Sequence, residues 1–304
     1  MSKHGPSHSN NPETMSHSRK LVLTLLSILL VLFLALGAYF AYRFFSLQKQ
    51  YIDEGQAIQS MVEGYIKVNP QADQTLTAEV QAPPSTEITR DPVSNATAAP
   101  TVDPMRQVFD LAASQVQVDF PALAEVNPDV RAWIYHPSIG INYPIVRSPD
   151  NEYYLKLGFD RAYHEMGAIF FDFRHIGDFS DRNTVIYGHN FDNGQMFSNI
   201  MAYKDQAFYD EHPGYLIYTP TSIYHIDIAA GVIVSGTDAR FLQVSFKDDA
   251  DFQSFIDDAY GKSSFESKVD LTTADQLVTL YTCTNNALDQ RYVLIGRLVK
   301  LGDY

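Results

Sequence analysis

Leu277-Val278-Thr279-Leu280-Tyr281-Thr282 closes on Cys283, the single cysteine in 304 residues. The mixture of β-branched, aromatic and leucine side chains reads as a strand. Alternation puts Thr279, Tyr281 and Cys283 on one face and Leu280 and Thr282 on the other. Cys283 then stands at the strand's exit, before the polar loop Thr284-Asn285-Asn286, where a thiol can reach a groove. The competing reading is a small buried hydrophobe, the commonest fate of an unpaired cysteine.

Working outward, seven further segments carry the same signature between turn formers: 132–135, 141–146, 168–171, 184–187, 215–218, 224–234 and 292–301, with 278–282 completing the set. Eight strands predict a mainly β domain, closed into a barrel. Two helical interruptions are expected, at 195–203 and at 249–260. In the second, Asp248 and Asp249 can cap a run whose Phe252, Phe255, Ile256 and Tyr260 line one face. Residues 105–124 predict one or two helices ahead of the barrel, with Asp119-Phe120-Pro121 starting the second.

Residues 21–45 are almost continuously apolar, broken by Thr24, Ser27, Gly37 and Arg43, which is enough chain for a bilayer-spanning helix. Arg19 and Lys20 precede the run while Asp53 and Glu54 follow it, which favours a cytoplasmic N-terminus and an exported body. A cleaved signal peptide, with Ala35-Leu36-Gly37 as its small-residue site, is the alternative, but the apolar run outlasts a typical signal core. The expected divisions are a cytoplasmic tail at 1–20, the span at 21–45, a juxtamembrane stalk and Pro/Thr/Ala-rich linker at 46–103, and a folded domain at 104–304.

A content of 45% hydrophobic residues suits a packed core, and the net charge of −14 argues against tracking nucleic-acid phosphates. The sequence spacing carries no metal signature, and no cofactor is expected.

An unpaired thiol in an exported chain needs a reason. His189 follows the apolar run Thr184-Val185-Ile186-Tyr187 and Gly188, which sets an imidazole at a second strand end. Most of the other histidines have no such placement, His136 preceding Pro137 and His225 lying within a long strand. Arg291 opens the strand Tyr292-Val293-Leu294-Ile295, so a short loop returns its guanidinium beside Cys283; a surface ion pair with Asp289 is the alternative. Nucleophile, proton carrier and anion stabiliser are the parts acyl transfer needs.

Thr279-Leu280-Tyr281-Thr282-Cys283 resembles the TLxTC motif of sortases. Tyr187-Gly188-His189-Asn190 is similar to their catalytic-histidine segment, and Arg291 falls where their arginine follows the cysteine. The resemblance covers residues from about Pro104 onward. Class B is indicated by the helices before the barrel, by Asn142-Tyr143-Pro144-Ile145-Val146 and Asp150-Asn151-Glu152-Tyr153-Tyr154-Leu155, and by the extra helix near 249–260. Tyr281 departs from the serine often found in class B, which bears on substrate preference.

The resemblance implies a sortase-like barrel on the cell surface, anchored by its N-terminal helix, in which Cys283, His189 and Arg291 are catalytic. Thr282, Tyr281 and Asn190 are the expected substrate-binding positions. The implied reaction cleaves a sorting motif after threonine in a secreted protein and passes the acyl group to an amine, either a peptidoglycan precursor or a pilin lysine. A Cys-His peptidase and a non-catalytic, membrane-anchored binding module are the other readings.

Overall fold

The computed structural model describes residues 17–68, 109, 113–136, 138–191, 194–283 and 289–304. Helix α1 (His17–Glu63) leads to two short antiparallel strands, β1 (Ile66–Val68) and β2 (Val116–Val118), with Lys67 opposite Gln117. Helix α2 (Phe120–Val126) follows, then β3 (Val130–His136), β4 (Ile141–Arg147), β5 (Ile169–Phe171) and β6 (Asn183–Tyr187). Helix α3 (Gln206–Glu211), β7 (Gly214–Tyr218), β8 (Ser222–Ser235), helix α4 (Asp249–Gly261), β9 (Leu277–Cys283) and β10 (Gln290–Asp303) complete the chain.

All eight expected strands form and close into a barrel in the order β10-β8-β7-β3-β4-β5-β6-β9, with β9 returning to β10. Neighbours run antiparallel except β4 with β5 and β6 with β9. The second exception matters most here. Parallel neighbours end at the same rim, so the carboxyl ends of β6 and β9 and the amino end of antiparallel β10 lie together.

Alternation along β9 and β10 splits their side chains between two clusters. Val278, Leu280, Tyr292 and Leu294 join the larger core, which also holds Ile134, Ile145 and Ile186. Leu277, Tyr281, Val293 and Ile295 face the other way and pack with Phe252, Phe255, Ile256 and Ala259 of α4. That helix starts where expected, because the Asp248 carboxylate accepts from the Asp251 backbone N–H. Complete burial of a side chain such as Phe255 stabilises by about 1.5–3 kcal/mol over leaving it exposed. The outer face of the β6-β9-β10 wall is therefore dry beside α4.

Some local expectations change. The segment read as a helix at 195–203 is a tighter 3₁₀ turn, Ser198–Lys204, followed by α3, whose N-terminus is capped by Asp205. Within 105–124, α2 begins at the Asp119 cap with Pro121 in its first turn, but Val116–Val118 is extended. Its two valines flank Gln117 at strand spacing and are buried, so sheet pairing with β1 wins over helix.

The largest difference concerns the stalk. The division between two compact units falls inside α1, Met1–Gln50 forming one and Tyr51–Tyr304 the other. Ile58, Val62 and Ile66 are buried in the same core as Phe109, Val116 and Leu123, so residues 51–68 are part of the folded body. In the first unit, large apolar side chains between Leu21 and Phe45 are exposed, and α1 is long and apolar enough to cross a membrane. The expected tail up to residue 16 and the linker at 69–103 lie outside the described residues.

Candidate active site

Three neighbouring strand ends carry the three residues singled out from the sequence. The parallel β6–β9 ladder ends with Tyr187 opposite Tyr281, and His189 and Cys283 each stand two positions beyond that pair. On the other side of β9, Arg291 is the register partner of Cys283. Along β10, Arg291 stands two positions before Val293, whose side chain packs with α4.

The His189 ring is held by specific contacts. Its Nε2 lies 2.8 Å from the Leu155 carbonyl oxygen. A carbonyl can only accept, so Nε2 carries the proton and Nδ1 is the acceptor of the neutral ring. The Phe191 ring lies 5.6 Å away. Burial pushes the imidazole below the ordinary histidine value, the Leu155 carbonyl opposes that shift, and the Lys156 charge adds to it while Glu165 opposes it.

Gly188 explains how the chain turns so tightly here. A Cβ at this position would stand 2.5 Å from the buried Phe197 ring. The Gly188 N–H donates to the Tyr281 carbonyl, and the Phe197 N–H donates to the His189 carbonyl. Asn190 and Met196 form an antiparallel bridge beyond it.

Arg291 donates through Nη1 to Asp289 Oδ1 at 2.7 Å and to the Gln290 carbonyl at 3.0 Å. The ion pair weighed as an alternative is therefore present. It lies at the same strand end and orients the guanidinium there. Asp289 sits at φ +47°, in the left-handed region, and its carbonyl accepts from Gly236 N–H.

The expected substrate-binding positions differ in setting. Asn190 is half-buried beside His189. Tyr281 is buried and meets Tyr187 edge-on at 5.5 Å. Thr282 is also buried, opposite Tyr292 on the inner face of the wall.

Other histidines have structural partners. His175 pairs through Nδ1 with Asp181 at 2.6 Å and accepts from Val185 N–H at Nε2. His225 pairs through Nδ1 with Asp227 at 2.6 Å. Among the described residues, no group of three or more His, Cys, Asp or Glu side chains is arranged to hold a metal ion.

Reading the sequence missed two supports. The Leu155 carbonyl comes from a short 3₁₀ turn, Tyr153–Leu155, and a backbone acceptor leaves no side-chain signal. Beneath the wall, fully buried Asp172 receives Arg174 through Nε at 2.7 Å and Nη2 at 2.9 Å, the Tyr187 hydroxyl at 2.9 Å and Asn151 at 3.0 Å. Burial raises the Asp172 carboxyl, but these donors outweigh it and hold the group at about 2.

The chain is similar to known proteins across the barrel. The Sortase domain family model matches residues 134–299. Sortase B of Listeria monocytogenes is 32% identical over 187 residues, covering 61% of this chain and 76% of that protein. Sortase B of Staphylococcus aureus is 29% identical over 203 residues, covering 65% and 83%. The solved Staphylococcus aureus sortase B–substrate complex aligns with a TM-score of 0.57 at 29% identity, covering 60% of this chain and 85% of that one. With the barrel, the family match and these relatives in agreement, the chain belongs to the sortase family as a class B cysteine transpeptidase.

Proposed function

We propose that Cys283, His189 and Arg291 carry out acyl transfer, with the Cys283 thiolate attacking the carbonyl after threonine in the sorting motif of a secreted protein. The observation that carries this reading is the common rim. One strand end sets His189 level with Cys283 through the parallel β6–β9 ladder, and the other sets Arg291 opposite Cys283 in β10.

The carbonyl carbon gains a sulfur bond, its oxygen becomes an oxyanion, and collapse expels the peptide amine. His189 as imidazolium gives the departing amine its proton; as imidazole it then takes one from the incoming amine. Arg291 stabilises the oxyanion through its planar fork. An ordinary thiol titrates near 8.5, so only about a few per cent is thiolate at neutral pH without a neighbouring cation. Protonation state therefore limits the active fraction.

Half-exposed Asn190 is the position best set to touch substrate. Buried Tyr281 and Thr282 shape the wall from its α4 face and its inner face. The acceptor in this reading is a peptidoglycan precursor amine, with the protein anchored by α1 and its body outside the cell. A pilin lysine is the alternative acceptor.

The test is to incubate the full chain in detergent with sorting-motif peptides and amine acceptors, including a peptidoglycan stem peptide and a pilin-type lysine peptide. An amide product identified by mass spectrometry supports transpeptidation, and its acceptor separates wall from pilus. Free acid alone favours a peptidase. Cleavage that persists in Cys283→Ala removes the mechanism.

A further inference from the structure

We propose that the 51–62 face of α1 is a positioning element of the active site, acting on His189 through the loop that follows it. The inference rests on the catalytic reading of His189 given above and adds a control from outside the barrel.

Positions 51, 55 and 59 recur every fourth residue and so share one helix face. Each meets the His189 loop or its support. The Tyr51 ring lies 5.8 Å from Phe191, which in turn lies 5.6 Å from the His189 ring. One turn later, Gly55 is buried so close to the loop that an added Cβ would stand 1.6 Å from Gln195 Oε1. Only glycine admits that approach without moving the carboxamide. After another turn, Gln59 hydrogen-bonds the Tyr143 hydroxyl, which also accepts from Met196 N–H at 3.1 Å. Ile58 and Val62, buried at 5% and 0% exposure, seat the same helix on the core.

The helix contacts add to those within the loop. It leaves β6 after Tyr187 and is pinned at its base by the Asn190–Met196 bridge and the Phe197–His189 backbone bond. Met196 and Gly194 sit at φ +55° and +78°. Phe191 lies between that base and α1, and it is the ring through which a helix contact reaches the imidazole. The charges facing His189 come from another element: Lys156 and Glu165, an ion pair at 2.9 Å, beside the Leu155 carbonyl. Glu54 of α1 lies near the Tyr163 hydroxyl that donates to Glu165, so the helix meets this charged group as well as packing on Phe191.

Misplacing a general acid–base by about 1 Å can cost about 100-fold in rate, so loss of one ring contact is readable. Cys283 is the single cysteine of the chain, and iodoacetamide alkylation of the full chain in detergent reports its thiolate without requiring the natural substrate. Wild type, Tyr51→Ala, Tyr51→Phe and His189→Ala are compared across pH, with thermal unfolding recorded for each. We expect Tyr51→Ala to change the alkylation rate at neutral pH by about 10-fold and to displace the histidine inflection upward as water reaches the imidazole. Tyr51→Phe, which keeps the ring, restores the wild-type profile.

A Tyr51→Ala profile superimposable on wild type, beside an altered His189→Ala profile, overturns this inference alone. A His189→Ala profile equal to wild type overturns the catalytic reading and this inference together. If Tyr51→Ala fails to fold, Tyr51→Leu, which removes the ring facing Phe191 but keeps an apolar side chain, decides: a moved inflection supports the positioning role, and an unmoved one overturns it.

Discussion

Arg291 is the register partner of Cys283 across the β9–β10 ladder. Their relation is fixed by the register of the two strands. A lysine in place of Arg291 keeps the charge but loses the planar fork. Arg291→Lys is expected to lower kcat by about 100-fold or more with little change in the unfolding midpoint, as read by steady-state peptide kinetics. A rate near wild type contradicts the oxyanion assignment.

The pH profile has a defined direction. Burial first, then the charge on Lys156, lowers the His189 imidazole below 6.5 against the Leu155 carbonyl and Glu165. The free enzyme thus keeps a neutral His189 into mildly acidic conditions. The acid limb of kcat/KM, which reports free-enzyme groups, is expected below 6.5. A limb at or above that value contradicts the half-buried setting of the ring.

Gly188 sets the turn into the site, with its missing side chain occupied by the Phe197 ring. Gly188→Ala must move a fully buried aromatic and is expected to destabilise the fold by about 1–3 kcal/mol. It should also slow turnover, since the next residue is His189. Denaturant unfolding and peptide cleavage measured on the same variant check both effects.

Asp172 is the anchor beneath Tyr187. Its folded carboxyl stands at about 2 against 3.8 unperturbed, so its contribution is present above 3.8 and is lost as pH falls through 2. Asp172→Asn removes the charge opposite Arg174, whose side chain is 39% exposed. The loss is expected at about 2 kcal/mol, below that for a fully buried pair because solvent screens the guanidinium. Equilibrium unfolding at neutral pH measures it.

His136 gives stability a second pH dependence. Burial, then the charges of His212 and His225, holds its imidazole well below 6.5, and its buried Nε2 has no hydrogen-bond partner. Ser138 N–H donates to Nδ1 at 3.2 Å. The unfolded chain takes up a proton near 6.5 while the folded chain does not, so stability falls as pH drops below 6.5. The slope reaches up to about 1.4 kcal/mol per pH unit for this group. Denaturation near pH 5 and near pH 7 is expected to show a smaller difference in His136→Leu than in wild type.

The barrel was legible because each strand carries its own period-two or continuous apolar signal, and α4 because Asp248 marks its start ahead of a one-sided aromatic stripe. His189, Cys283 and Arg291 were legible as residues standing just past or just inside such runs. Parallel pairing of β6 with β9 was not, since no local pattern encodes which strands become neighbours. The Leu155 carbonyl and the Tyr51–Gly55–Gln59 face escaped for related reasons. One is backbone, and the other lies on a helix whose apolar signal is dominated by residues 21–45. The helix looked like a stalk because its contacts are made with residues far along the chain, Tyr51 with Phe191 and Gln59 with Tyr143.

Trapping the acyl-enzyme tests the role of Cys283 directly. The full chain is mixed with a sorting-motif peptide without acceptor, quenched in acid, digested, and the fragment containing Cys283 is weighed. This fragment is expected to gain the mass of the peptide up to and including threonine, and the adduct to be discharged by hydroxylamine. Peptide cleavage without an adduct on Cys283, continuing undiminished in Cys283→Ala, would contradict that role.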